Sequence, residues 1–382
     1  MSAFLLPPAF AFCKNIAVLE WACRPGRRHA AVLAEAGMRY VTLPTEHLRA
    51  FITQLATRQT VVAPVAKGHN NFAFEPVTSG EQVALTYIPT ILPPKKYFMP
   101  QYETLLEYDT RSGGQQMQAV VESEAMILFG VHTCDLAGIE CLNTVFADRP
   151  KDLNYLIRKG RITIVGWECN SYCDEYASCA LMNTELPNGG YDLFFTDLGT
   201  RCICHVHTYA GDTLVNASGL FREAAPADLA DLERLRARKR EIFRDEVAID
   251  LADIPRLFDH SLKTSVWKEI GARCLSCGNC TNVCPTCYCF DIVDEPNLDL
   301  QTGRRVRVWD SCQNERFAKV AGGESFRKER SARKKHRFFR KFRYPVDRFG
   351  KFFCTGCGRC SRTCMARINL KETLAQLVRE YV

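Results

Sequence analysis

Eight cysteines stand in two runs of identical spacing. The first reads Cys274-Leu-Ser-Cys277-Gly-Asn-Cys280-Thr-Asn-Val-Cys284-Pro285, the second Cys354-Thr-Gly-Cys357-Gly-Arg-Cys360-Ser-Arg-Thr-Cys364. A C-x2-C-x2-C-x3-C run suits a [4Fe–4S] cubane. Three thiolates from one tight loop reach three irons, and the fourth points away and ligates the other cluster of a pair. The spacing therefore assigns Cys274, Cys277, Cys280 and Cys364 to one cluster and Cys354, Cys357, Cys360 and Cys284 to the other. Structural zinc sites use two C-x2-C pairs, or cysteine mixed with histidine, and have no use for the additional thiols of these runs. Clusters so held pass single electrons, and they require no substrate pocket.

The remaining cysteines are less clearly placed. Cys287, Cys289 and Cys312 are spare ligands or, as favoured here, thiols packed near the clusters. Cys202, Cys204, His205 and His207 invite a zinc site, but in a strand the two cysteines face one way and the two histidines the other. Cys13 and Cys23 have no ligand spacing and are expected to pack. Cys134, Cys169, Cys173 and Cys179 follow two apolar runs and could converge on an additional metal site or a docking surface near a redox centre. Reduced, partly buried thiols are the favoured reading, since their spacings match no defined iron–sulfur or zinc pattern.

The elements that must position these residues follow from the pattern. Gln59–Val65, Val83–Ile88, Ala125–Gly130 and Arg161–Gly166 read as strands. A helix over 136–146, with Asp135 as N-cap, separates the last two and makes them parallel. The loops that follow parallel strands leave at one edge of the sheet, where α/β folds place ligands. Residues 191–217 read as an antiparallel set, with Gly211-Asp212 turning the chain into Thr213-Leu-Val. Pro226–Phe243 reads as a helix with Leu229, Leu232, Leu235 and Ile242 on one face, and Ile254–Ile270 as a second, closed by Gly271. The fold class expected is an α+β N-terminal domain with a partly parallel sheet and an all-α C-terminal dicluster domain. The boundaries expected are 1–222, a helical linker over 223–264, and 265–382. The 69 residues between Cys284 and Cys354 favour the all-helical form.

With 382 residues, 47% hydrophobic and 24% charged, the composition is that of an ordinary globular protein. Twenty cysteines in so long a chain, with no convincing signal peptide, suggest metal thiolates in a reducing compartment. No apolar run approaches membrane-span length, so a cytoplasmic location is expected. Much of the net charge of +7 lies in Arg327–Arg343. That run is a solvated helical face, a counter-charge for negative clusters that also docks an acidic partner, or a nucleic-acid footprint. No P-loop or helicase, nuclease or glycosylase motif accompanies it, so no nucleic-acid partner is expected.

Several further segments carry a resemblance. Lys95-Lys-Tyr-Phe-Met-Pro-Gln-Tyr-Glu103, Gly130-Val-His-Thr-Cys-Asp135, Trp309-Asp-Ser-Cys312 and Phe317-Ala-Lys-Val-Ala-Gly-Gly323, together with the two cysteine runs, resemble a family of dicluster iron–sulfur subunits. It includes the beta subunit of soluble NiFe hydrogenases (sulfhydrogenases) and the iron–sulfur subunit of anaerobic sulfite reductase. Met365 stands where the ferredoxin pattern has proline after the second run. The resemblance implies an electron-relay subunit, not itself the catalyst, set between a catalytic subunit and a flavin- and NAD(P)-binding subunit. The eight assigned cysteines would be its functional residues. A hydrogenase is the first home it implies and a sulfite reductase the second. No glycine-rich dinucleotide fingerprint follows a strand, so flavin or NAD binding by this chain itself is not expected.

Overall fold

Met126–His132 and Ile162–Trp167 are apolar at nearly every position, which suits strands covered on both faces. Both lie inside the larger of two sheets. The computed structural model describes residues 39–111, 116–244 and 247–381; Cys13 and Cys23 lie outside them. The chain runs β1 (Arg39–Pro44), α1 (Leu48–Arg58), β2 (Thr60–Ala66), β3 (Phe72–Val77), β4 (Tyr102–Asp109), β5 (Gln116–Ala119), β6 (Met126–His132) and α2 (Thr133–Phe146). It continues with α3 (Leu153–Lys159), β7 (Ile162–Trp167), β8 (Leu193–Asp197), β9 (Arg201–Val206), α4 (Tyr209–Ser218), β10 (Arg222–Glu223) and α5 (Pro226–Ile242). Then come α6 (Ile254–His260), α7 (Val266–Arg273), α8 (Asn279–Asn282), β11 (Phe290–Pro296), β12 (Thr302–Trp309), α9 (Arg330–Phe342), α10 (Tyr344–Phe349), α11 (Arg359–Arg362) and α12 (Leu370–Tyr381).

The large sheet has the order β10-β1-β9-β8-β7-β6-β2-β3. Its neighbours β8, β7, β6 and β2 are parallel and the flanking pairs antiparallel. The expected partly parallel sheet and the parallel β6–β7 pair are therefore present. Helix α1 and α4 cover one face through Phe51, Ile52, Leu55 and Val215; α2 covers the other through Leu136, Ile139 and Leu142. Strand β6 contains a register shift between Phe129 and Val131. Gly130 there has a φ of +80°, a conformation only glycine adopts cheaply. Phe129 and Val131, which regular alternation would put on one face, join opposite cores. A bulge of this kind re-aims the residues that follow, and those are His132, Thr133 and Cys134.

Several expected elements differ. The all-α C-terminal part is corrected: β11 and β12 form a hairpin inside it and join β4 and β5 in an antiparallel sheet of order β11-β12-β4-β5. The long link between the cysteine runs is thus partly spent on a hairpin, whose sheet partner comes from the first third of the chain. Buried Glu103 on β4 accepts from Arg158 of α3 at 2.7 Å and from Arg307 of β12, tying the sheet to the α/β part. Val83–Ile88 is not a strand; Val83 closes a 3-10 turn over 80–82 and Tyr87 is held by side-chain contacts instead. Thr213-Leu-Val lies in α4, whose N-cap Thr208 accepts from Gly211 N. Ile254–Ile270 breaks into α6 and α7 around Ser261, whose carbonyl accepts from Trp267 Nε1 at 2.5 Å. Gly271 lies within α7 and allows close approach to α9: a Cβ there would come within 2.6 Å of Ser331 Cα. Ile242 on α5 is exposed, and the helix buries Asp228 and Lys239 beside Leu232. Asp135 sits in the first turn of α2, which begins ahead of it at Thr133, and is not its N-cap. The helices of the C-terminal region pack on Leu257, Phe258, Trp267, Phe338, Phe342 and Leu374.

Candidate metal centres

The two cysteine runs fold alike. The third residue of each, Ser276 and Gly356, has φ of +53° and +63°; the fifth, Gly278 and Gly358, has +75° and +71°. These left-handed turns wind each loop tightly before α8 and α11 carry the third cysteine. The two short helices are neighbours, and Asn279 Nδ2 donates to Thr363 O at 2.7 Å. This adjacency brings Cys284 to the second run: Cys284, Cys354, Cys357 and Cys360 line one cavity together with Arg337 and Lys341. Of the other set, Cys274 and Cys280 are buried, Cys364 is half-buried and Cys277 exposed. Backbone N–H groups of Ser276 and Ile368 donate to the sulfurs of Cys274 and Cys364 at 3.3 and 3.4 Å. Such N–H···S bonds suit thiolates that hold a cluster. Burial pushes the Cys357 thiol up to about 11, partly countered by Arg359, and a bound metal deprotonates such thiols outright.

The basic run is not a solvated face. Helix α9 buries Arg333, Lys334, Arg337 and Lys341, a stripe at helical spacing, and turns Phe338, Phe339 and Phe342 into the helical core. Lys334 Nζ lies 3.7 Å from Cys280 Sγ, Arg337 donates to Cys280 O at 2.9 Å, and Lys341 to Thr286 Oγ1 at 2.6 Å. Burial opposes the charge on Lys341, but the nearby sulfurs of Cys284 and Cys287 more than offset it and raise its pKa. Buried cations are costly unless paired, and the partners here are the Cys280 sulfur and carbonyl, the Thr286 hydroxyl and, for Arg333, the Ser276 hydroxyl.

The neighbouring cysteines lie beside the cysteine runs. Cys287 donates to Cys284, which holds the Cys284 thiol well below its ordinary range. Cys289 does the same for Cys312, held down to about 6. Cys287, Cys289 and Cys312 line a cavity of about 380 Å³ with Arg327, Arg337 and Arg340. Two of the segments that carried the resemblance meet beside it. Lys95 Nζ sits 4.1 Å above the Trp309 ring and donates to Cys287 O at 2.9 Å.

The loops at the carboxyl edge of the large sheet dock on the second run. Asp135 and Arg359 form a buried bidentate ion pair at 2.6 and 2.7 Å, Asp174 pairs with Arg362, and Ser178 N donates to Gly356 O at 2.8 Å. A side chain at Gly356 would bring its Cβ within 2.3 Å of Ser178 O. Gly356→Ala is therefore expected to cost about 1–3 kcal/mol, read as a lower thermal midpoint. A midpoint equal to that of the parent would show that the 174–184 loop yields freely.

Within those loops the structure brings together a set that includes a residue the sequence reading missed. His132, Cys169 and Cys173 place their ligand atoms within 4.8 Å of one another. Cys169 donates to Cys173 and holds that thiol down to about 5. Cys134 and Cys179 lie outside this set. Burial pushes the Cys134 thiol up, reinforced by Asp135, Cys357 and Cys173. The signal for His132 was its place at the end of an apolar strand, two residues before Cys134. Cys202 and Cys204 are buried in the sheet core while His205 bonds to Tyr191 OH at 2.8 Å, as the strand alternation required.

Two cysteine loops set against each other beneath a buried cationic helix define a dicluster iron–sulfur protein, and residues 273–368 match the family described as 4Fe-4S dicluster domain. Over 341 residues the chain is 33% identical to sulfhydrogenase 2 subunit beta of Pyrococcus furiosus, covering 89% of this chain and 98% of that protein. The chain belongs to the sulfhydrogenase beta-subunit family. Among the described residues no helix is long and apolar enough to cross a membrane.

Proposed function

We propose that this chain is the electron-relay subunit of a multisubunit hydrogenase-type complex, holding two [4Fe–4S] clusters. Cys274, Cys277, Cys280 and Cys364 hold one; Cys354, Cys357, Cys360 and Cys284 hold the other. When bound, the clusters supply one-electron transfer. The reading is carried by the meeting of Cys284 with Cys354, Cys357 and Cys360 around one cavity, since that crossing is what the paired spacing requires. The chain's own contribution is to seat the clusters side by side, to exclude water with the packed loops over Gly356 and Gly358, and to set the local charge. Arg337 and Lys341 favour the reduced, more negative state.

Lys341→Met is accordingly expected to lower the potential of the adjacent cluster, on the order of 50 mV, in an anaerobic redox titration followed by electron paramagnetic resonance. An unchanged potential would mean the charge does not reach the cluster.

The partners are a catalytic subunit and a second one that binds flavin and NAD(P). The name of the Pyrococcus furiosus relative, a sulfhydrogenase subunit beta, favours a hydrogenase over the alternative, an anaerobic sulfite reductase. The nucleic-acid reading loses its support because the stripe of Arg333, Lys334, Arg337 and Lys341 is turned inward. Anaerobic affinity purification from the native cell, with metal and cofactor analysis, decides between these homes. Nickel and a flavin subunit are expected; sirohaem would select the sulfite reductase, and a chain recovered alone with its iron would remove the complex.

A further inference from the structure

We propose that His132, Cys169 and Cys173 form a third metal centre, a single zinc(II)-type ion held by two thiolates and one imidazole, with its fourth position open to a cavity. Bonds of about 2.0–2.3 Å around one tetrahedral ion place donors roughly 3.5–4 Å apart. The three donors lie within 4.8 Å of one another, and among the described residues no other three potential ligands approach so closely. The eight cysteines of the two runs are spread more widely, as ligands of a four-iron cube must be. The close set is therefore built for one ion.

A second observation points the same way. His132 is buried, and its Nδ1 has no hydrogen-bond partner. A buried polar nitrogen left unpaired is costly, and the ring is fixed in place by stacking on Tyr87 at 3.9 Å, with Tyr87 OH donating to Gly130 O. The backbone supports this placement. The Gly130 bulge re-aims His132 at the end of β6, while the adjacent parallel strand β7 delivers Cys169. Glu168, the residue before Cys169, is pinned by Thr196 at 2.7 Å, Arg236 at 3.0 Å and Lys239 at 3.1 Å. His132 and Cys169 are thus placed by adjacent strand ends, as a metal site requires, and Cys173 comes from the loop that follows β7.

His132, Cys169 and Cys173 all line a cavity of about 410 Å³ at the carboxyl edge of the sheet, with Tyr87, Trp167 and Tyr172 on its walls. Three protein ligands and one free position are the arrangement of zinc sites that bind water or a small ligand, whereas closed structural sites use four. Cys134 and Cys179 do not line the cavity and are not assigned as ligands.

The test uses the whole chain, made anaerobically with iron and zinc supplied. Expected are one zinc per chain beside the cluster iron, and a zinc K-edge absorption spectrum, blind to iron, with two sulfur ligands at about 2.3 Å and nitrogen or oxygen ligands at about 2.0–2.1 Å. Cys173→Ser is expected to lose that zinc with the iron content unchanged. Parent protein without stoichiometric zinc, or a zinc spectrum lacking sulfur, overturns the proposal whether or not the variant folds. Loss of iron from Cys173→Ser overturns it too, and would make the site a third iron–sulfur cluster.

Discussion

Cys360→Ser is expected to leave about four of about eight cluster irons in the chain and to abolish electron transfer through it. Cys360 shares its cavity with Cys284, Cys354 and Cys357, so under the proposed assignment a weaker hydroxyl ligand there disables that cluster and leaves the one assigned to Cys274, Cys277, Cys280 and Cys364. If the two runs exchange their fourth ligands as proposed, Cys277→Ser and Cys364→Ser should remove one paramagnetic signal, and Cys360→Ser and Cys354→Ser the other. If Cys364→Ser instead removed the signal lost in Cys360→Ser, the exchange of ligands would be wrong. Cys284 is less informative singly, since the Cys287 thiol lies against it and can take its place; the double replacement Cys284→Ser, Cys287→Ser removes that escape. Cys202→Ser is the control. Its thiol is in the sheet core, and the variant should retain all of the iron.

The second large effect concerns the joint between the sheet and the clusters. Arg359 and Asp135 are 1% and 0% exposed at their side chains, and Arg359 also donates to Thr90 O at 2.6 Å. Removing one member of such a pair leaves an uncompensated buried charge and costs about 3–5 kcal/mol, whereas replacing both with apolar groups is often close to neutral. Arg359→Met is therefore expected to lower the thermal midpoint sharply and to release iron from the second run on warming. Asp135→Leu in addition should recover much of the loss. If the double variant is no more stable than Arg359→Met, the pair is not the source of the effect and the Thr90 contact is.

The segments that misled the sequence reading share a cause. Ile254–Ile270 carries a continuous helical pattern, yet Trp267 reaches back to Ser261 O and a break serves the packing better. Gly271 looked like a helix end because glycine ends helices, but its role is the close approach of Ser331. The charged run of α9 was open between solvent and cluster because a helix face has no direction until it is packed. Phe290–Trp309 needed β4, nearly two hundred residues earlier, to become part of a sheet.

What the sequence determined by itself was the chemistry that local spacing dictates: two cubane loops, whose geometry is set within eleven residues each, the parallel β6–β7 pair, and the alternation that keeps Cys202 and Cys204 apart from His205 and His207. Only the tertiary structure decided which thiols and cations meet across the chain: Lys341 with Cys284, Asp135 with Arg359, and His132 with Cys169 and Cys173. Those meetings depend on the parallel sheet edge, the Gly130 bulge and the docking of loops on Gly356. Non-local contacts of this kind leave no periodic trace in the residues that make them.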